Sequence, residues 1–218
     1  MDDIVIRVEG VYKRFGTDTV LKDVSRSFER GRIHGIVGNN GSGKTVLMKC
    51  ICGFLIPDGG SITVNGERVG VDVDFPRDMG LIIETPGFLP NITGVKNLEI
   101  LASLNKKIGL REIAASMRAV SLDPSMNKPV GKYSLGMRQR LGIAQAIMED
   151  PTLLILDEPL NGLDKHGVRE MRQLIKGLKE QGKTILLASH NQGDIDELCD
   201  TVCEMDAGVM TMIREEGI

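Results

Sequence analysis

The sequence predicts an α/β protein with a parallel sheet, an N-terminal antiparallel β subdomain and an inserted α-helical subdomain. Short β-branched segments near the N-terminus are bounded by Gly, Asp and Pro, which is typical of hairpin strands. The last third of the chain alternates apolar, strand-sized segments with amphipathic ones, and this alternation indicates a parallel sheet covered by helices. Between these two parts, residues 94–150 have the apolar spacing of helices.

The charge distribution also marks the middle of the chain as a separate unit. The 218 residues carry 27 basic and 30 acidic side chains, a formal net charge of −3. Residues 1–87 have 11 basic and 12 acidic side chains, residues 88–150 have 9 and 5, and residues 151–218 have 7 and 13. We therefore predict a single domain in three parts. These are 1–87 (β subdomain and first part of the core), 88–150 (helical subdomain) and 151–218 (rest of the core).

The N-terminal elements follow from short apolar segments and their boundaries. Antiparallel strands are predicted over residues 4–8, 24–28 and 61–64. Residues 33–37 form a further apolar strand, which a glycine-rich turn connects to a helix. We expect that helix to run from Lys44 until Pro57, since proline does not continue a helix.

Helices and strands in the rest of the chain follow from periodicity. Two apolar helical faces are predicted in the middle third, one marked by Leu98, Leu101, Ala102 and Leu104 and the other by Leu141, Ala144, Gln145 and Ile147. Buried strands are predicted over Leu153–Leu156 and Thr184–Ala188. Amphipathic helices are expected at about 166–181 and 193–198.

Composition excludes several classes of protein. With 41% hydrophobic and 26% charged residues, the chain is not intrinsically disordered. Its apolar segments are strand-sized, whereas a membrane-spanning helix needs about 18 or more consecutive apolar residues. The start, Met1-Asp2-Asp3, is acidic where a signal peptide is basic. We therefore expect a cytoplasmic protein, and its near-neutral charge gives no support for nucleic-acid binding.

The four cysteines lack the spacing of a zinc site, and no histidine cluster accompanies them. They are Cys50, Cys52, Cys199 and Cys203. We expect them to be reduced and mostly buried, as free cysteines usually are.

A phosphate-binding loop is the strongest motif. Residues 38–45 match G-x-x-x-x-G-K-[ST], between an apolar strand and a predicted helix, as a P-loop NTPase core requires. Backbone N–H groups of such a loop surround an anion, and the helix N-terminus adds partial positive charge. Lys44 can then reach the β- and γ-phosphates, and the Thr45 hydroxyl can bind Mg²⁺. The predicted nucleotide-binding residues here are Gly38, Asn39, Asn40, Gly41, Ser42, Gly43, Lys44, Thr45 and Val46.

Two acids end the strand that begins at Leu153. Because parallel strands present their carboxyl ends at the ligand-binding edge of a sheet, Asp157 and Glu158 are expected beside the phosphate loop. Asp157 is suited to hold Mg²⁺ through water, and Glu158 to orient or deprotonate the water that attacks the γ-phosphate. Taken alone, the pair also fits an acidic helix N-terminus. The 112 residues between Thr45 and Asp157 leave room for an inserted subdomain.

With these motifs in place, residues 133–140 (Tyr-Ser-Leu-Gly-Met-Arg-Gln-Arg) resemble the signature motif of ABC-type ATPases, the ATP-binding subunits of ABC transporters. The resemblance covers essentially the whole chain. It continues through Glu158-Pro159, residues 161–164 (Asn-Gly-Leu-Asp, the D-loop) and residues 188–190 (Ala-Ser-His).

The resemblance implies roles for five further residues. Phe15 stacks on adenine, Asp164 belongs to the D-loop, and His190, the switch histidine, donates to the γ-phosphate. Ser134 and Gly136 contact the ATP of the opposite subunit, so two nucleotide-binding subunits, identical or paralogous, form a head-to-tail dimer. From the residues alone, a core position is favoured for Phe15 over an adenine platform, and a lone histidine is structural as often as functional.

Two departures from the family pattern stand out. Leu135 and Met137 occupy positions where the usual signature, Leu-Ser-Gly-Gly-Gln, has Gly and Gln. Glu84 replaces the usual Gln before the helical subdomain, where a carboxylate can still reach Mg²⁺ or the attacking water. These departures resemble the subgroup that serves bacterial exporters of antimicrobial peptides, of the bacitracin and lantibiotic type.

The resemblance implies an ATP-hydrolysing subunit that is peripheral to the cytoplasmic face of a membrane. It would bind ATP and Mg²⁺ and power export of an antimicrobial peptide or drug through a separate multi-span permease. The permease is expected in the groove between the core and the helical subdomain, near Glu84 to Leu89, where Pro86, Phe88, Leu89 and Pro90 give an apolar loop. The alternative is a soluble ABC-type ATPase in Fe–S assembly or another non-transport role. A P-loop kinase of small molecules fits the signature and the 112-residue spacing less well.

Overall fold

The structure is a computed structural model that describes residues 3–84 and 87–215, and its strands form two sheets. The strands are β1 (Ile4–Phe15), β2 (Asp18–Glu29), β3 (Ile33–Val37), β4 (Gly59–Val64), β5 (Glu67–Arg68), β6 (Met79–Ile82), β7 (Leu153–Asp157), β8 (Thr184–Ala188), β9 (Thr201–Asp206) and β10 (Val209–Glu215). The helices are α1 (Lys44–Ile51), α2 (Gly94–Asn105), α3 (Leu110–Ala119), α4 (Leu135–Ile147), α5 (Lys165–Glu180) and α6 (Gln192–Leu198).

The smaller sheet is the N-terminal antiparallel one, with strand order β2-β1-β4-β5. Its two long strands are twelve residues each, longer than predicted, because β1 and β2 continue past their apolar cores into irregular pairing. The polar residues that pair beyond these apolar cores give no alternating apolar pattern, so the sequence does not reveal that the two strands extend over them.

The larger sheet positions the site. Its strand order is β10-β9-β3-β8-β7-β6, with every neighbouring pair parallel except β9 and β10. Strands β7 and β8 are buried along their whole length, which explains their unbroken apolar sequences. Because β3, β8 and β7 are adjacent and parallel, the residues after each of them meet at one edge.

The helical part lies between β6 and β7 in the chain and packs on the sheet through α4. Gly80 in β6 is so close to α4 that an added Cβ would collide with the Ala146 carbonyl oxygen. The side chains of Leu141 and Ala144 are buried on the same helix, as predicted. Leu98 and Ala102 of α2 are buried too, whereas Leu104, expected on that face, is 76% exposed.

The boundary of α1 differs from the prediction. The helix ends at Ile51, and Gly53 follows it in the left-handed conformation (φ 82°). A left-handed glycine is a common helix terminator, and it overrides the later proline as the stop. Strands β5, β6, β9 and β10 were not predicted, whereas the predicted helices at about 166–181 and 193–198 agree with α5 and α6 to within one residue.

The four cysteines are free and buried. Burial raises the pKa of the Cys50 thiol to about 11 and those of the Cys52 and Cys199 thiols to about 12. The thiols are therefore protonated and unreactive at neutral pH, which confirms the structural interpretation. Among the described residues, no helix is both long enough and apolar enough to cross a membrane. The three-part division at residues 87 and 150 stays a prediction.

Two Gly→Ala substitutions are predicted to have opposite effects on stability, one at the close contact of β6 with α4 and one at an open position of α5. Gly80→Ala is expected to lower the free energy of unfolding by about 1–3 kcal/mol, because the new methyl group meets backbone that cannot rotate away. Gly177→Ala, inside α5 with open space around it, is expected to raise that free energy by roughly 0.5–1 kcal/mol. Urea unfolding of both variants measures the difference, and a neutral Gly80→Ala would show that the two elements are less tightly packed.

Candidate functional site

The loop between β3 and α1 has the backbone that the sequence predicts for an anion cradle. Gly38, Gly41 and Gly43 have positive φ values of 146°, 80° and 113°. A Cβ on Gly38 would collide with the Met205 carbonyl oxygen, so only glycine fits there. Gly43 is also the N-cap of α1, which places the helix N-terminus at the end of the loop.

Polar groups inside this loop are arranged for a ligand. The Lys44 side chain is buried, and its ammonium donates to the Gly38 and Asn39 carbonyl oxygens at 2.7 and 3.0 Å. The buried Ser42 hydroxyl has no hydrogen-bond partner among the described residues. A buried cation and an unpaired hydroxyl within a glycine loop fit a bound phosphate chain.

The first acid of the predicted pair is tied to the phosphate loop. The Thr45 hydroxyl, at the start of α1, donates to Asp157 Oδ2 at 2.7 Å, across 112 residues of sequence. Hydroxyl and carboxylate oxygens are ligands that suit Mg²⁺. Within the described part of the chain, no cluster of three or more His, Cys, Asp or Glu side chains could hold a metal alone. This donor set therefore fits a metal that keeps waters and substrate phosphates as its other ligands.

The second acid lies beside the histidine. Glu158 and His190 follow the adjacent strands β7 and β8, and His190 Nδ1 lies 2.9 Å from Glu158 Oε1. Glu158 has a left-handed backbone (φ 51°), which costs a non-glycine residue about 1–2 kcal/mol. Its N–H donates to the Ala188 carbonyl oxygen of β8 at 2.9 Å, and this bond helps to hold the unusual conformation.

These groups line a cavity of about 570 Å³. Its lining comprises Phe15, Val20, Asn40, Gly41, Ser42, Gly43, Lys44, Thr45, Val46, Glu84, Leu135, Gln139, Asp157, Glu158 and Asn161. His190 lies with Gly38 and Asn39 in a second cavity of about 490 Å³, and Asn40 lines both. The phosphate loop thus lies between the two cavities.

Phe15 is on the surface and not in the core, since it is 47% exposed and contributes to the cavity. The Lys13 ammonium lies over its ring, 5.6 Å from the centroid, and is held by Asp58 Oδ1 at 3.1 Å. The backbone N–H of Arg14 and the Lys13 ammonium both donate to this carboxylate, and they lower the pKa of Asp58. The outer end of β1 is therefore well fixed, and one face of the Phe15 ring can meet a flat ligand.

Glu84 lies on the rim of the cavity and not at the Thr45–Asp157 pair. Its carboxylate accepts from the Lys49 ammonium at 2.7 Å, and Lys49 is one helical turn beyond Thr45 on α1. The Glu84 backbone is left-handed (φ 58°). Pro86, expected in the neighbouring apolar loop, lies outside the described residues.

Ser134 and Asp164 cap helices outside the cavity. The Ser134 hydroxyl accepts from the Met137 N–H at 3.2 Å, at the start of α4. The Asp164 carboxylate accepts from the Gly167 N–H at 2.8 Å, at the start of α5. Gly136 packs against the Gly162 carbonyl, so the signature and the D-loop are in contact. The cavity that holds the phosphate loop is not lined by Ser134, Gly136, Gly162 or Asp164.

Several residues near the site were not assigned a role from sequence. Gln139 donates from Nε2 to the carbonyl oxygens of Glu158 and Pro159, at 3.2 and 2.9 Å. Asn161 and Val20 line the cavity, and Lys49 pairs with Glu84. Gln139 stands in the signature string, five residues after Ser134, but the sequence does not reveal that its side chain reaches the end of β7.

Comparison with protein families identifies the chain. Residues 21–161 match the model of the ABC transporter family. An uncharacterized ABC transporter ATP-binding protein of Bacillus subtilis, YybJ, is 42% identical over 94% of this chain and 94% of its own length. The bacitracin transport ATP-binding protein BcrA of Enterococcus faecalis is 39% identical over 94% of this chain and 68% of its own. The lantibiotic transport ATP-binding protein SrtF of Streptococcus pyogenes is 33% identical, over 97% and 91%.

Solved structures agree on the fold. A dimeric ATP-binding cassette in a post-hydrolysis state, bound to ADP and Pi, superposes with a TM-score of 0.86 at 21% identity, over 98% of this chain and all of that one. An ATP-binding subunit of an ABC transporter superposes with a TM-score of 0.84 at 26% identity, over 96% and 90%. The predicted fold class and the predicted ATPase activity are therefore confirmed. The chain belongs to the ABC transporter family, as one of its ATP-binding, ATP-hydrolysing proteins.

Proposed function

We propose that this ATPase binds Mg·ATP in the 570 Å³ cavity and hydrolyses it with Glu158 as the general base, to power export through a separate permease. The observation that carries the proposal is the convergence of the phosphate loop, Asp157 and Glu158 at one edge of the sheet, with His190 Nδ1 2.9 Å from the Glu158 carboxylate. Such an edge is where open α/β sheets bind their ligands.

The nucleotide-binding residues act through charge and shape. The triphosphate lies along residues 38–46, where N–H groups and the helix N-terminus favour negative charge. Lys44 exchanges its contacts to two backbone carbonyls for phosphate oxygens, and Ser42 supplies its unpaired hydroxyl. Phe15 offers its exposed ring to adenine.

Thr45 and Asp157 would hold Mg²⁺ with their hydroxyl and carboxylate oxygens. Bound Mg²⁺ supplies neutralising charge to the β- and γ-phosphate oxygens. Glu84 is the third proposed ligand, and it must leave Lys49 before its carboxylate can turn towards the site. The Glu84 side chain is 63% exposed, so water can replace the Lys49 ammonium as its partner when the carboxylate turns.

Hydrolysis requires a positioned water and a proton acceptor. The Glu158 carboxylate takes a proton from water as the water oxygen bonds to the γ-phosphorus and the bond to the β–γ bridging oxygen breaks, giving ADP and inorganic phosphate. His190 Nδ1 lies 2.9 Å from Glu158 Oε1, so the ring is in a position to orient the carboxylate. His190 Nε2 is then the nitrogen left for a γ-phosphate oxygen, and both nitrogens donate only when the ring is protonated.

A second nucleotide-binding subunit, identical or paralogous, completes the proposed site. Ser134, Gly136 and Asp164 are outside the cavity of their own chain, which supports a role towards the ATP of the opposite subunit. Ser134 and the following turn also form a helix N-terminus, a suitable donor for phosphate. The dimer therefore closes around two ATP molecules, and hydrolysis reopens it.

The permease is proposed to dock at the start of the helical part. Asn97, which is buried, binds both the N–H and the carbonyl of Leu89, at 2.7 and 3.1 Å, and so fixes this loop on α2. Phe88, Leu89, Ile100 and Leu101 line a cavity of about 280 Å³ there. Such a docked subunit is peripheral to the inner face of a cell membrane. Its relatives named for bacitracin and lantibiotic transport support an antimicrobial peptide or drug as the exported substrate.

The role of Glu158 predicts that Glu158→Gln lowers the rate of ATP hydrolysis by about 10²–10⁴-fold, because the amide cannot accept the proton. ATP binding is expected to persist, so ATP should shift the variant to a dimer in size-exclusion chromatography. Glu180→Gln makes the same change at an exposed position of α5 and should leave turnover unchanged. Lys44→Ala, in contrast, is expected to lose ATP affinity, measured by calorimetry. Normal turnover by Glu158→Gln would show that another group is the base.

The proposed docking loop predicts capture of a multi-span membrane protein. Affinity purification of the tagged chain from detergent-extracted membranes should yield one, identified by mass spectrometry. Leu89→Asp should abolish the capture while ATP affinity is kept, because a charge enters an apolar surface. Val209→Asp, at a similarly exposed apolar residue on the edge strand β10, is the matched control. A partner set of soluble proteins only would contradict the transport role and favour the alternative in Fe–S assembly.

A further inference from the structure

Glu158 needs an external support for its backbone. Its left-handed conformation is uncommon for a residue with a side chain and persists only where neighbours impose it. One neighbour is β8, through the bond between Glu158 N–H and the Ala188 carbonyl. That bond fixes the nitrogen side of the residue and leaves the carbonyl side to other contacts.

Gln139 supplies the contacts on the carbonyl side. Its Nε2 carries two hydrogens and donates to two successive carbonyl oxygens, Glu158 at 3.2 Å and Pro159 at 2.9 Å. Both partners can only accept, so the amide nitrogen is the end of the side chain that must face them. Asn161 N–H also reaches the Glu158 carbonyl, at 3.3 Å, which closes the turn after β7.

The position of Gln139 ties this support to the signature motif. Gln139 is one helical turn beyond Leu135, the first residue of α4. Leu135 packs so closely on Gly162 that a Cβ there would lie 2.5 Å from the leucine side chain. The start of α4, the 161–164 loop and the Glu158 backbone therefore form one contiguous block, and a displacement of α4 reaches Glu158 through two hydrogen bonds.

We propose that Gln139 is a positioning residue for Glu158, which holds the backbone of the general base and makes the hydrolytic step depend on where α4 lies. The inference rests on the proposed role of Glu158. When the ATP of the opposite subunit contacts the signature loop, it would fix the position of α4. Gln139 would then position the Glu158 backbone of the same chain. A signature motif that contacts one ATP would in this way control the hydrolysis of the other.

The test compares two substitutions of Gln139. Gln139→Met keeps the length of the side chain but removes both donors, and Gln139→Glu places a carboxylate against two carbonyl oxygens. We expect kcat to fall by roughly ten-fold or more in the first and further in the second, since a misplacement of about 1 Å can cost 10²-fold. KM and the calorimetric affinity for ATP should change less than about two-fold, because the phosphate loop is untouched. Gln173→Met, at an exposed position of α5, is the control for the same change.

A double-mutant cycle that combines Gln139→Met with Glu158→Gln distinguishes a positioning role of Gln139 from a general loss of structure. Single-turnover hydrolysis of Gln139→Met with Glu158→Gln should be no slower than that of Glu158→Gln alone, since the base is already gone. If Gln139→Met slowed the Glu158→Gln protein by the same factor as it slows the unsubstituted protein, the inference would be overturned. It would also be overturned if kcat and ATP affinity fell equally, or if a lowered unfolding midpoint accounted for the loss of activity. Normal turnover by Gln139→Met, with Glu158→Gln inactive, would overturn this inference alone. Normal turnover by Glu158→Gln would overturn the proposed base as well.

Discussion

The hydrogen bond between Thr45 and Asp157 is the interaction on which the proposed site depends. It joins the first turn of α1 to the end of β7 at 2.7 Å, so two motifs that are 112 residues apart share one position in space. The bond forms only because β3, β8 and β7 are parallel neighbours with their carboxyl ends at the same edge. The inserted helical part does not disturb this edge, since it leaves and rejoins the core at the adjacent strands β6 and β7.

Around this bond, the charged groups of the site have partners within the chain. Lys44 binds backbone carbonyls of its own loop, Glu84 pairs with Lys49, and Glu158 lies beside His190. Each pair lowers the cost of holding a charge in a partly dry cavity. Each is also a contact that phosphate, metal or substrate water can replace. A site of this kind is therefore organised for a triphosphate by contacts within the chain itself.

Prediction from sequence succeeded where local chemistry dictates structure and failed where tertiary contacts do. The glycine loop, the buried strands β7 and β8 and the acids at the end of β7 follow from residue types and spacing alone. The predicted end of α1 was wrong because a left-handed glycine, Gly53, stops the helix before the later proline. The ion pair of Glu84 with Lys49 and the reach of Gln139 to the Glu158 carbonyl connect residues distant in sequence, and no local pattern encodes such pairs.

The most direct test is a crystal structure of the Glu158→Gln variant with ATP and Mg²⁺. The account predicts that the triphosphate lies along residues 38–46, with the γ-phosphate between Lys44 and His190. The Thr45 hydroxyl is expected to bind the metal through its oxygen and still donate its hydrogen to Asp157. It also predicts a signature motif of a second subunit on the open side of the phosphates. A triphosphate bound elsewhere, or a metal bound away from both Thr45 and Asp157, would contradict it.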